Sequence, residues 1–335
     1  MSSAIDGSLR RGSQNEDPKE IYDAISHELS QIYHPYIDIE LLPKGFETEL
    51  KNTYFVKEEH CLAIPKLRLV QAFTAARQIL ISHLNKPGSI STDDVRKATS
   101  VMLLMDSEHL TAANTRKRLL LRQTLAACER KAELGREMYF VNSLLSSHLH
   151  RHTKSPVLWS HKHWLLRQYL EAKVPIDLMH DLESVVFVAA ERHPKNYYAW
   201  TYARDLFVSR AKVKPGWDAE QDEELMRMTA KWCRLHHDDI SGWSFLLHLA
   251  LGSPQHAQEI FRQTARLVQT YTWRGESVWN FLRTLVLVPA MRDSSEVRQS
   301  FVDLWHHVRQ DIRDAQSLDA KVLDRAAAWA EIPRP

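Results

Sequence analysis

From about Lys19 onward, apolar side chains recur three and four residues apart along most of the chain, the spacing of one face of a 3.6-residue helix. Ile21, Ile25, Leu29 and Ile32 open the pattern. The run Leu62 to Leu84 continues it, with Leu67, Val70, Phe73, Ala76, Ile79 and Leu80 on one face. Between these runs, His34 to Glu59 mixes polarity and holds prolines and a glycine, which predicts an extended loop with one short strand. Asn85-Lys86-Pro87-Gly88 ends the long helix, and Ser91-Thr92-Asp93-Asp94 opens the next with N-cap residues and an acidic first turn.

Beyond that point the sequence repeats itself. Lys154-Ser155-Pro156-Val157-Leu158-Trp159-Ser160-His161-Lys162-His163-Trp164 is the clearest copy, followed by Lys195-Asn196-Tyr197-Tyr198-Ala199-Trp200-Thr201-Tyr202-Ala203-Arg204. Weaker copies centre on Trp243 and Trp279, and upstream Ala113 takes the tryptophan's place. These central positions are spaced by 46, 41, 43 and 36 residues, and a period of that length marks stacked helical hairpins. Helices are predicted before each over Asp94–Met105, Leu134–His150, Ile176–Arg192, Ala219–His236 and Pro254–Tyr271. The expected fold is therefore all-α, a right-handed superhelix of hairpins. Its plan is a disordered tail over 1–18, a helical extension with a loop over 19–90, five repeats over 91–290 and capping helices over 291–335. Trp159, Trp164, Trp200, Trp243 and Trp279 are expected in the repeat core, since a buried indole removes about 150–250 Å² from water.

Composition narrows the chemistry. With 44 Lys plus Arg against 42 Asp plus Glu, no net field draws the chain to nucleic acid. The densest basic run, Arg116-Lys117-Arg118 with Arg122, reads as a solvated helix face. Three separated cysteines suggest reduced thiols and a cytoplasmic protein. No run is apolar enough for a membrane span, the N-terminus lacks a secretory h-region, and the C-terminus lacks a CaaX cysteine. Eighteen histidines include the trio His148, His150 and His152, but no zinc spacing such as HExxH occurs, so no metal site is expected in this chain. Neither a GxSxG motif nor a Gly-rich phosphate loop is present.

Taken together, the short motifs resemble the repeat of the protein prenyltransferase α subunits, roughly Pro-Lys-Asn-Tyr-x-Ala-Trp-x-His-Arg-x-Trp. Pro194-Lys195-Asn196-Tyr197-Tyr198-Ala199-Trp200 matches its first half, and Trp159-x-His161-Lys162-x-Trp164 matches its second with Lys for Arg. The resemblance covers about Asp93 to Val288 and looks most like a divergent, repeat-containing branch. It implies a crescent of hairpins wrapped around a β subunit that holds the catalytic zinc and the isoprenoid pocket. Such a pair moves a farnesyl or geranylgeranyl group from its diphosphate to a protein cysteine thiol, and the α subunit alone is inactive.

The resemblance also supplies the candidate residues. As the diphosphate leaves it gains negative charge, which a fixed ammonium stabilises. By repeat order that lysine is Lys154; by motif quality it is Lys195. Asn196, Tyr197, Tyr198, His161 and Arg204 are candidates for the diphosphate site or the β-subunit interface. Two departures stand against the pattern: Pro156 replaces the tyrosine beside Lys154, and the His-Arg pair becomes Tyr202-Ala203, Phe245-Leu246 and Phe281-Leu282 in later copies. A non-catalytic repeat scaffold that binds a partner protein is the alternative those losses leave open.

Overall fold

The computed structural model describes residues 17–33, 36–46, 50, 53–122, 127–213, 218–252 and 254–330. The proposed disordered tail therefore lies almost wholly outside the described residues, as do Ile332 to Pro335. The chain is mostly helical and divides into two compact units, Met1–Val174 and Pro175–Pro335.

In the first unit, α1 (Pro18–Glu28) stops short of the periodic run that predicted it, and Ile32 beyond it is 62% exposed. The single strand expected next is instead a three-stranded sheet, β1 (Asp38–Leu42), β2 (Val56–Glu58) and β3 (Cys61–Pro65), in the order β1-β3-β2. β3 pairs parallel with β1 and antiparallel with β2. Alternation within β1 and β3 buries Ile39, Leu62 and Ile64, the period-2 pattern of strands with one covered face. The helix expected from Leu62 begins only at Lys66, giving α2 (Lys66–Asn85). Its buried stripe runs through Leu69, Ala72, Ala76, Leu80 and His83, one position off the face that Leu67, Val70 and Phe73 suggested.

Two hairpins follow. The first is α3 (Thr92–Met105) with α4 (Leu110–Arg122). The second is α5 (Ala127–Leu145) with α7 (Pro156–Glu171), joined through the single turn α6 (His150–Thr153). α5 thus starts seven residues before the expected Leu134 and ends five before His150. α7 starts where the sequence demands: Ser155 caps it by accepting from Leu158 N, and Pro156 occupies its first turn. The sheet is tied to this hairpin, since His148 N donates to Ile39 O at 3.2 Å and Asn142 Nδ2 to Tyr36 Oη at 3.1 Å.

In the second unit, α8 (Leu178–Asp181) passes through a π-helical turn, Leu182–Phe187, into α9 (Val188–Arg192), and α10 (Tyr197–Val208) returns. After α11 (Arg210–Val213) come the hairpins α12 (Ala219–Leu235) with α13 (Ile240–Leu251), and α14 (Pro254–Tyr271) with α15 (Glu276–Val286). The turn α16 (Pro289–Arg292) leads to α17 (Ser295–Arg309) and α18 (Leu318–Trp329). Asp218 and Gln221 close a full capping box on α12.

Trp159, Trp200, Trp243 and Trp279 are all fully buried, whereas Trp164 is only half-buried, its ring centre 5.8 Å from that of His161 in an edge-to-face pair. Around Trp200 the rings of Phe187, Trp232 and Phe245 lie at 5.8, 4.9 and 5.5 Å. Gly242 is what admits this packing, because a Cβ there would stand 2.6 Å from Trp232 Cζ3.

Candidate functional site

The turn that precedes each tryptophan helix is where the candidate lysines sit, and each turn is built by local capping. Ser155 accepts from Leu158 N while its hydroxyl donates to Ser107 O at 3.0 Å, in the turn of the preceding hairpin. His152 reaches back in the same way, its Nε2 3.0 Å from both Leu103 O and Leu104 O. Lys154 is exposed between these anchors, at the end of α6.

Lys195 has a different setting. Its backbone is left-handed, with φ of 60°, and its N–H donates at 2.6 Å to Asp239 Oδ2 in the next turn. Asp239 also caps α13 by accepting from Ser241 N and Gly242 N. Asn196 is fully buried as the N-cap of α10, its amide nitrogen 3.4 Å from Ala189 O. In the fifth copy Ser277 Oγ donates to Asp238 O at 2.9 Å, and His237 stacks on Trp273 at 4.8 Å. Within each unit, then, turn is bonded to turn; Lys195 joins that ladder through its backbone N–H, while the Asn196 side chain holds its own hairpin. The Lys195 side chain remains exposed, as does Tyr197, whose ring lies 5.8 Å from that of Tyr198. Arg204 is half-buried and donates to Trp200 O and to Ser244 Oγ at 2.9 Å; desolvation holds its pKa below the ordinary value.

His161 and Lys162 point inward. Both are fully buried. Lys162 Nζ donates to Asn142 Oδ1 at 2.6 Å. His161 Nε2 stands 3.3 Å from Glu137 Oε1, but off the line that a hydrogen bond needs. Burial drives its pKa down to about 3, with the Glu137 charge opposing. The imidazole is therefore neutral at neutral pH.

Glu137 is held by Arg116, whose Nε and Nη2 grip its two oxygens at 2.8 Å each. Arg116 Nη1 completes its bonds on Arg96 O and Ser100 Oγ. Burial pushes the Glu137 carboxyl up, but the positive groups around it, the Arg116 guanidinium first, together leave it below the usual carboxylate range. The expectation that Arg116-Lys117-Arg118 forms a solvated face is thus corrected. Arg116 is 3% exposed, Lys117 is half-buried and only Arg118 faces solvent; the Arg122 side chain lies outside the described residues. Periodicity could not show this, because the carboxylate that draws Arg116 inward comes from another helix.

Above this pair opens a cleft of about 410 Å³, lined by Arg96, Lys97, Glu133 and Tyr139 among others. Its cations are answered: Arg96 and Arg136 meet Glu133 at 2.6 and 2.7 Å, and Lys97 meets Asp93 at 2.8 Å. Among the described residues no three His, Cys, Asp or Glu side chains gather as a metal site would need, and no helix is long and apolar enough to cross a membrane.

One neighbour of Lys154 escaped the sequence reading. Arg151 is exposed three residues earlier, within the single turn α6 that Lys154 ends as its C-cap. The segment His148-Leu149-His150-Arg151-His152-Thr153-Lys154 carries both cations, but only Lys154 falls on a repeat position.

Comparison with known proteins agrees with this architecture. Residues 158–271 match the family described as ECM9 middle domain. A human relative, protein prenyltransferase alpha subunit repeat-containing protein 1 (Homo sapiens), is 24% identical over 230 residues, covering 63% of this chain and 53% of that protein. Its Danio rerio namesake is 29% identical over 169 residues, covering 45% and 36%. Protein ECM9 of Saccharomyces cerevisiae is 25% identical over 244 residues, covering 71% and 62%. The chain fits a divergent branch of this repeat family. It spans less than two thirds of the length of each of these relatives.

Proposed function

We propose that this chain is the α-like subunit of a heterodimeric protein prenyltransferase, in which a zinc-containing β subunit supplies the isoprenoid pocket and transfers a farnesyl or geranylgeranyl group to a protein cysteine. The observation that carries the reading is the Lys154 turn. Its backbone is pinned by Ser155 and His152 to the preceding turn, while Lys154 and Arg151 stand exposed, and neither forms an ion pair among the described residues. Two free cations on a fixed turn are what a departing diphosphate requires, because a preorganised charge stabilises the transition state without reorganising. Lys195 is the weaker candidate, since its turn is shaped by the Asp239 bond. Asn196 and His161 act on the fold: one caps α10 and the other is sealed beside Glu137.

The test is reconstitution with a β subunit. Lys154→Ala should lower single-turnover transfer by about tenfold or more, with heterodimer formation unchanged by gel filtration. Lys195→Ala should do less. Normal transfer by the Lys154→Ala, Arg151→Ala double variant would remove the diphosphate role.

A second reading, a non-catalytic scaffold for a partner protein, is favoured by the complete burial of the His161-Lys162 pair and by the apolar residues that replace it at Phe245-Leu246 and Phe281-Leu282. A stable partner complex that transfers no isoprenoid under any acceptor and diphosphate would select it.

A further inference from the structure

A small cleft separates the last turn of α2 from α4, with a volume of about 240 Å³ and walls made by His83, Leu84, Pro87, Thr115, Arg118 and Leu119. Two of its polar side chains are buried without partners. His83 is 8% exposed and Thr115 2%, and neither His83 Nδ1 nor Thr115 Oγ1 makes a hydrogen bond. Among the described helical threonines, Thr115 and Thr264 are buried with no hydrogen-bond partner. Thr74, Thr99, Thr201, Thr229, Thr270 and Thr284 all donate to the carbonyl four residues back, the bond a helical hydroxyl ordinarily makes. Thr115 leaves its own unmade. A buried hydroxyl and imidazole nitrogen left unsatisfied each carry an unrecovered desolvation cost, so the site gains from anything that fills them.

The lining fixes the sign of what can do so. Among the described residues no carboxylate lines the cleft, Arg118 is exposed at its lip, and Thr115, Arg118 and Leu119 share one face of α4 by their spacing. A hydroxyl donor, an imidazole and a guanidinium around a space of a few heavy atoms suit the oxygens of one anionic group. We propose that this cleft binds a small oxyanion, a carboxylate or a phosphate, which takes hydrogen bonds from Thr115 and His83 and is closed over by Arg118. As the rim stands, both inner atoms are shut off from solvent, so binding requires the rim, where Leu84 and Arg118 are exposed, to open. The site is independent of the transferase reading, lying on residues that reading does not use.

Histidine-ring nuclear magnetic resonance of the full chain tests it. The His83 signal, assigned by its loss in His83→Gln, is followed while inorganic phosphate or acetate is added against matched chloride. The expected result is a saturable shift with one of the two anions and none with chloride; the anion that saturates identifies the class. Thr115→Val and the fold-neutral surface change Arg118→Gln should each weaken binding by about tenfold. No saturable shift with either anion, an equal shift with chloride, or undiminished binding in Arg118→Gln overturns the proposal.

Discussion

The residues two and three places after each repeat's central position set the two units apart. In the first unit they are Thr115-Arg116 and His161-Lys162; in the second they are Tyr202-Ala203, Phe245-Leu246 and Phe281-Leu282. All ten are buried to nearly the same degree. Burial at these places is therefore a property of the hairpin, while the chemistry placed there is free to differ. The first unit places a cation third after each centre and must bring a matching group to it: Glu137 to Arg116, Asn142 to Lys162. The second fills these places with aromatic and aliphatic groups that need only volume. Tyr202 stands between, keeping one bond of 2.6 Å to the buried Asp181. Charged cores of this kind gain little net stability but are severely damaged when one partner is lost.

That asymmetry gives the largest expected effect. Glu137→Ala should cost about 3–5 kcal/mol, since it strands a buried guanidinium. Urea unfolding of the full chain measures it. Replacing both partners, Arg116→Met with Glu137→Met, should recover most of the loss, because two apolar side chains of similar volume leave no charge unpaired. If the double variant is as unstable as the single one, the contrast drawn between the units is wrong and the first unit needs its charges for more than mutual compensation.

How much of this was legible beforehand follows from where each partner lies. The tryptophan hairpins and the bounds of α14 follow from local period and capping, and the turn before each indole was marked by its polar residues. Arg116 could not be read as buried, because Glu137 lies 21 residues away on the next hairpin. The sheet escaped because its strands are of three to five residues and pair across a gap in sequence, leaving too few positions for a period of two to stand out. The start of α5 was missed for a related reason: its first turns are charged, so no apolar stripe announced them. At the candidate site, Lys154 was found by repeat order alone, whereas the Lys195 motif that matched the family best proved to be bound up in capping and a left-handed turn.

Acid sharpens the same comparison. The unfolded chain takes up a proton at His161 near pH 6.5, and the folded chain does not until about pH 3. Through that window the unfolded state binds more protons, so stability falls as pH falls, by up to about 1.4 kcal/mol per pH unit from this one group. Glu137 acts in the same direction at the lower end, because its folded pKa lies below the ordinary carboxylate value and its stabilisation is lost as it protonates. His161→Phe, which gives the second hairpin the residue found at Phe245 and Phe281, should flatten the urea midpoint between pH 6.5 and about 4.5, leaving the Glu137 part of the slope below. An unchanged slope in that variant would show that the acid sensitivity arises elsewhere.

The smallest effect separates copies within the second unit. The indole N–H of Trp243 donates to His237 O at 3.1 Å and that of Trp279 to Trp273 O at 2.8 Å, each six residues back in its turn. Trp200 makes no such bond; the carbonyl in that place belongs to Pro194 and faces His193 Nδ1 at 3.2 Å. Substituting phenylalanine removes similar volume at all three sites, so the packing loss is shared. Only at Trp243 and Trp279 does it also strand a carbonyl. Trp200→Phe should therefore cost less than either by about 1 kcal/mol, the net worth of one hydrogen bond, as read from urea unfolding of the three variants side by side. Should Trp200→Phe prove the costliest, its rings on Trp232, Phe187 and Phe245 outweigh the missing bond, and the third hairpin is held by aromatic packing where the others are held by their turns.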